Sequence, residues 1–195
     1  EAEVPCTILR YELIQDSGGA GKYRGGLGIR LDFQVHQPNV TITARNLERI
    51  KFRPWGSQGG KAGTLSQFLL NPETSKEKDL GNTDVVSLDP GDIVSIWAPG
   101  GGGYGNPLER DPQDVLRDVL RSYVSPDAAK DEYGVVIKDN QVDVDATRKL
   151  RSTTKADETP AKFNYGPERE LYESVWSNSV YKDLNFLIRG LPAPL

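Results

Sequence analysis

The chain has 195 residues, 36% of them apolar, with 20 glycines, 13 prolines and a formal net charge of −4. This length suits one large domain or one domain with an appendage, the charge balance excludes general nucleic-acid binding, and no apolar run approaches the roughly eighteen residues of a membrane span. The single cysteine, Cys6, excludes an internal disulfide and points to a reducing, cytoplasmic setting. Charge is uneven: residues 1–66 carry nine basic and six acidic residues, the remainder fifteen and twenty-two. That asymmetry suits an acidic partner or an anion. Methionine is absent, even at position 1, and the apolar, proline-containing end lacks a polar finish. The chain therefore reads as a natural split subunit, a processed product or a cloned fragment. Its opening Glu1-Ala2-Glu3 does not read as a leader peptide.

Residues 1–106 read as a glycine-rich antiparallel β domain, a barrel or sandwich. Residues 7–13 are a strand by their β-branched and apolar content. Residues 27–35 alternate strictly, which predicts a half-buried strand with Leu27, Ile29, Leu31, Phe33 and Val35 toward the core. On that reading Ile29→Asp costs roughly 3 kcal/mol or more. Residues 40–44 are expected as the next antiparallel strand, reached through Pro38-Asn39. Its Asn39-Val40-Thr41 sequon is read as chance. Residues 66–70, 85–88 and 92–97 complete the set, with turns at Asn71-Pro72, Gly81-Asn82 and Pro90-Gly91-Asp92.

Residues 107–151 read as short helices and a hairpin. Asp111-Pro112 and Ser125-Pro126 are helix starts, each an N-cap followed by proline at the first helical position. Gly134 ends the second helix. Lys138-Asp139-Asn140 is a hairpin turn, and residues 145–151 form a charged helix. Residues 152–166 read as a linker, and 167–195 as two amphipathic helices broken near Ser177-Asn178. The fold class is α+β, mainly β.

Two glycine-dense segments need a steric explanation, because glycine loses the most backbone entropy on folding. They are DSGGAGKYRGGLG from Asp16 and APGGGGYGNPLERDP from Ala98. Their aromatic and charged residues exclude a plain flexible linker, so a close approach of backbones is the expected reason. Gly100-x-Gly102-x-x-Gly105 matches a dinucleotide fingerprint in form, but Pro107 intervenes where the helix should open. Gly21-Lys22 is no phosphate loop, since Tyr23 replaces the serine or threonine and Asp16 the leading glycine.

No residue is assigned to catalysis. Asp16, Ser17 and Arg24 are the candidates for lining a site, with backbone N–H groups of residues 18–21 offered to an anion. The alternative is a packed turn in which Asp16 caps backbone donors and Arg24 pairs with it. Arg45, Glu48, Arg49, Lys51 and Arg53 form a charged, mainly basic cluster before Trp55. It suits contact with a phosphorylated substrate or a partner, or else a solvated connection with local Arg–Glu pairs. Gly101, Gly102 and Tyr104 join Arg45, Arg49, Arg53 and Trp55 as expected contact residues. His36 is the only histidine and sits at a strand end, so neither a metal site nor a histidine-based nucleophile is expected.

The two glycine segments, Pro54-Trp55-Gly56 with Gly59-Gly60, and Tyr133-Gly134-Val135-Val136 occur in one order. Together they resemble the C-terminal region of the hydantoinase B/oxoprolinase family, along roughly the whole chain. The family's larger N-terminal part is absent. The resemblance implies a subunit of an ATP-dependent complex related to 5-oxoprolinase, hydantoinases, lactamases and the acetone and acetophenone carboxylases. It implies as partners the remainder of the B-type subunit and a hydantoinase A-type subunit that binds ATP and phosphorylates the substrate. ATP with Mg and a metal belong to those parts, and no cofactor is expected in this chain. The sequence leaves open a cyclic-amide hydrolase, a ketone carboxylase and a structural module.

Overall fold

The structure, a computed structural model, describes residues 5–44, 49–154 and 162–191. Eleven strands and five helices are defined among them. β1 (Cys6–Leu13), β2 (Ile29–Val35), β5 (Gln67–Leu70), β6 (Lys78–Asp79) and β8 (Ile93–Trp97) form an open antiparallel sheet in the order β1-β2-β8-β5-β6. The sheet keeps two edges, so of the barrel and the sandwich offered by the sequence, the barrel is not formed by the described residues. β3 (Val40–Thr43) does not continue from β2 into this sheet, as the sequence suggested. It pairs with β7 (Val85–Leu88) in a separate ribbon. Asn39, at φ 61°, begins the departure.

The first core lies between ribbon and sheet. Val40, Ile42, Val86 and Leu88 of the ribbon cluster with Phe33, Val35, Phe68, Leu70, Val94 and Ile96 of the sheet. Of the five residues expected to face a core from β2 and its approach, only Phe33 and Val35 belong to this cluster. Ile29 is 37% exposed, and Leu27 and Leu31 are half-buried. The ribbon packs along only part of β2. The opposite face of the same strand buries Arg30 and Asp32 at 8% and 3% exposure. Arg30 Nη2 lies 2.8 Å from Asp32 and 3.0 Å from Glu73, and its guanidinium lies 4.8 Å from the Trp97 ring centre. Ser95 donates to Asp32, and Trp97 Nε1 donates to Ser95 Oγ at 2.8 Å. A buried charge is tolerated only when it is paired and hydrogen-bonded, and this network supplies both.

The glycine segments explain themselves through backbone contact. The segments at residues 17–28, 54–64 and 99–105 lie against one another and exchange main-chain hydrogen bonds. Gly19 N–H donates to Gly101 O at 2.8 Å, Lys61 N–H to Ala20 O at 2.7 Å, and Gly103 N–H to Lys61 O at 2.9 Å. A Cβ on Gly103 would lie less than 3.0 Å from Ala20 O, and one on Gly100 less than 3.0 Å from Ser17 O. No side chain fits between these backbones. Gly26 is the contrast: a Cβ there meets nothing within 4 Å. The short ladder β4 (Gly56–Ser57) with β11 (Phe163–Asn164) joins a distant segment to this layer.

The second core packs helices against the layer. After a 3-10 turn at Pro107–Glu109 come α1 (Pro112–Leu120), α2 (Pro126–Tyr133) and the hairpin β9 (Ile137–Lys138) with β10 (Gln141–Val142). Asp111 and Ser125 cap α1 and α2, and Gly134 closes α2 at φ 62°. Val115, Val124, Ala129, Tyr133 and Val135 cluster with Ala20 of the layer. Arg24 from the layer and Arg110 both bind Asp118 of α1, at 3.0 and 2.9 Å. α3 (Val144–Thr153), capped by Asp143, sends Arg151 to the carbonyls of Tyr133 and Arg110. α4 (Pro167–Val175) and α5 (Asn178–Arg189) end the described chain and bury no residue fully.

Two stability outcomes follow from this packing. Gly103→Ala should cost about 3 kcal/mol or prevent folding, because only backbone could yield. Gly26→Ala should stay within roughly 0.5 kcal/mol. Urea midpoints of the two variants would check this, and equal midpoints would refute the layer. On β2, Asp32→Ala should cost about 3 kcal/mol by leaving Arg30 short of its buried partner. Ile29→Asp should cost only about 1 kcal/mol. Thermal melts that reverse this order would put the core on the other face.

Candidate functional site

The three catalytic candidates do not converge on one site. Asp16 adopts φ 59°, and its Oδ1 accepts the Ser125 N–H at 2.7 Å, at the start of α2. Ser17 is fully buried, donates to Ile14 O at 2.6 Å and accepts from Gly28 N–H at 2.8 Å. An Oγ held this way has no path to a substrate. Arg24 does not pair with Asp16, contrary to the expected turn. It binds Asp118 and Gly25 O and lies 5.5 Å from the Tyr123 ring centre. The buried carboxylate of α1, 94 residues away in sequence, draws Arg24 across the layer.

Asp16 does border a cleft of about 240 Å³ between the layer and α2, with Arg53, Lys61, Thr64, Glu132 and Tyr133. Its cations are already matched. Arg53 Nε donates to both Glu168 oxygens at 2.9 Å, and Lys61 pairs with Glu132. Burial pushes the Tyr133 phenol up to about 12. The cleft thus has polar walls whose two cations, Arg53 and Lys61, are both paired with carboxylates. The Gly100-to-Gly105 segment is closed to a nucleotide by the packed layer, and helix α1 opens only at Pro112.

The exposed face of the layer differs in character. Trp55 and Tyr104 are 46% and 54% exposed, and Arg49 lies over the Trp55 ring at 5.0 Å. Tyr104 bridges to both Tyr23 and Ser57. Gly102 lies beneath the Trp55 carbonyl, where a Cβ would clash, and Gly101 accepts from Gly19 N–H. These two glycines position the aromatic residues from within the layer. Tyr23, Phe163 and Tyr165 extend the surface: Trp55 to Tyr165 is 6.2 Å between ring centres, and Tyr23 to Tyr104 is also 6.2 Å. Phe163 and Tyr165 were missed because they stand in a stretch read as linker; the Phe-Asn-Tyr-Gly cluster within that polar run was the available signal. Arg45 and Glu48 lie outside the described residues. His36 is exposed and bonded to Thr7 at 2.7 Å. Among the described residues no group of His, Cys, Asp and Glu could hold a metal ion, and no helix is long and apolar enough to cross a membrane.

Tyr133 gives the cleft a pH signature. Its folded state holds the phenol proton more tightly than the unfolded chain, which titrates near 10. The associated stability is complete below about pH 10 and is lost as pH rises toward 12. Tyr133→Phe should flatten that alkaline decline by about 2 kcal/mol relative to the parent chain, read from urea midpoints between pH 9 and 12. Parallel curves would show that the phenol is not desolvated.

Comparison with known proteins gives the fold its context. The uncharacterized protein MJ0963 of Methanocaldococcus jannaschii is 44% identical over 77% of this chain and 27% of its own length. Caprolactamase subunit beta of Pseudomonas jessenii is 39% identical over 78% of this chain and 27% of its own. A crystal structure of the ATP-dependent caprolactamase from that organism superposes with a TM-score of 0.57, covering 78% of this chain and 27% of the other at 33% identity. Nucleotide-free acetone carboxylase gives 0.62, covering 76% and 24%, at 25% identity. The chain thus spans about a quarter of the length of these relatives. The profile of hydantoinase B/oxoprolinase matches residues 1–107, more than half of the sequence, and the chain belongs to that family.

Proposed function

We propose that this chain is the C-terminal part of a B-type subunit in an ATP-dependent complex that hydrolyses a cyclic amide: a lactam, a hydantoin or 5-oxoproline. A hydantoinase A-type partner phosphorylates the substrate, and ATP with Mg and the metal reside in that partner or in the remainder of the B-type polypeptide. Within the complex this chain is a docking module, shaping the site from one side. The carrying observation is the exposed aromatic surface of Trp55, Tyr104 and Tyr23, held on a layer too tightly packed to shift. Tryptophan, tyrosine and arginine are the residues that dominate protein–protein hot spots, and Arg49 over Trp55 adds a cation to that surface. Asp16, Ser17 and Arg24 are all held in structural roles, which supports chemistry located elsewhere.

A ketone carboxylase is the second reading, favoured by the slightly higher TM-score of 0.62. Sequence identity over the superposed residues favours the hydrolase, at 33% to the caprolactamase against 25% to the carboxylase.

Reconstitution tests the proposal. The chain is combined with the rest of the B-type polypeptide and an A-type subunit, then supplied with ATP and either caprolactam, hydantoin, 5-oxoproline, or acetone with bicarbonate. ATP-dependent ring opening is expected from the full set and none from the chain alone. Trp55→Ala should weaken assembly at least tenfold, about 1.4 kcal/mol, while the melting temperature stays near the parent's. Ring opening by the isolated chain would place the active site within it, and acetone carboxylation would select the second reading.

A further inference from the structure

A separate surface is left unfinished by the fold. The odd-numbered face of β2 is apolar throughout, yet the β3–β7 ribbon claims only Phe33 and Val35. Opposite β2, Tyr11 pairs in register with Leu31, and Leu13 with Ile29. Tyr11 is 73% exposed and Leu13 50%. These four residues therefore form an apolar continuation of a core face with no covering layer among the described residues. The strand bearing half of them, β1, is the longest in the sheet and stands at its edge. Long exposed edges with apolar side chains are a liability that proteins normally cover or blunt. Gly26, just before the ladder begins, has an ordinary φ and open space around its missing Cβ. Nothing within the described chain requires a glycine there, whereas an outside backbone lying against the layer would.

We infer that this face, Tyr11, Leu13, Ile29 and Leu31 with Gly26 at its end, is the seat of the remaining part of the B-type polypeptide. The inference rests on the proposed function and adds a location to it. The relatives carry about three-quarters of their length beyond the matched region. A segment of one polypeptide is always present at high effective concentration, which suits a dry, permanent interface; obligate interfaces are the apolar ones. The face carries no charged side chain among its four members, so the occupant is an apolar strand or helix face with a backbone passing over Gly26. The aromatic and arginine surface around Trp55 remains free for the companion subunit.

Photo-crosslinking in the assembled complex tests this, whether the two parts are fused or separate. Benzoylphenylalanine is placed at position 11 in one sample and at position 55 in another, and crosslinked peptides are identified by mass spectrometry. The position 11 sample should crosslink to peptides from the remaining B-type polypeptide. Crosslinks from position 11 to a second copy of this chain, to the A-type subunit, or to nothing overturn the inference. If position 55 crosslinks within the complex while position 11 does not, the proposed function survives and only this inference falls. If neither crosslinks to any subunit, both fall. As a second measurement, Leu13→Asp combined with Ile29→Asp, and separately Gly26→Val, should keep the far-ultraviolet circular dichroism of the free chain and weaken its association with the remaining polypeptide at least tenfold. Undiminished association in the double variant refutes the apolar seat, and in Gly26→Val refutes the backbone crossing.

Discussion

Backbone packed directly on backbone is the constraint on which the rest of this fold depends. Three segments, far apart in sequence, lie so close that a methyl group at Gly100 or Gly103 would overlap a carbonyl oxygen. The gain is dense main-chain hydrogen bonding in a region that is largely neither helix nor sheet. The cost is the entropy of ordering many glycines, and little side-chain burial inside the layer offsets it. The layer is therefore held by its neighbours. Ala20 enters the helical core, Arg24 reaches Asp118 of α1, and the β1–β2 strands flank the first segment.

Buried ion pairs do the locking, and they also decide which faces are available. Asp118 binds Arg24 and Arg110 at once, tying the layer, the 3-10 turn region and α1 together. Arg30, Asp32, Ser95 and Trp97 occupy one face of the sheet. Such pairs add little net stability against an apolar replacement, but breaking one partner is expensive. Their effect is to specify arrangement. Once one face of β2 is filled by this network, the ribbon can cover only the other, and it covers that face in part.

How much of this was legible in the sequence depends on the range of the interaction concerned. Helix starts at Asp111-Pro112 and Ser125-Pro126, the Gly134 stop and the Asp139-Asn140 turn follow local rules and were readable. The close-approach reading of the glycine segments was also readable, because side-chain-free residues at such density have few other uses. Strand partners were not readable: β3 looks like a hairpin mate of β2, yet it pairs with β7, more than forty residues on. The alternation of residues 27–35 marks two faces without saying which is covered. Arg30 and Asp32, ordinary surface residues by composition, proved to be buried because their partner Glu73 and the stacking Trp97 come from distant strands and turns. At the site, Trp55 and Tyr104 stood out locally. Phe163 and Tyr165 join them only through a ladder to residues more than a hundred positions earlier.

The same range argument separates the chain's architecture from its chemistry. The cations that line the cleft are answered by carboxylates within the chain, Arg53 by Glu168 and Lys61 by Glu132, and the Asp16 carboxylate accepts the Ser125 N–H. A catalytic centre usually shows the opposite, groups whose environments push their ionisation away from ordinary values without a structural reason. Here the strongly raised group, Tyr133, owes its position to burial in a core. What the chain leaves unanswered is apolar and aromatic surface, on the layer and on the β1–β2 face. Unanswered apolar surface calls for another polypeptide, whereas unanswered charge would have called for a substrate. For a chain that spans about a quarter of its relatives' length, that contrast supports the docking role proposed above.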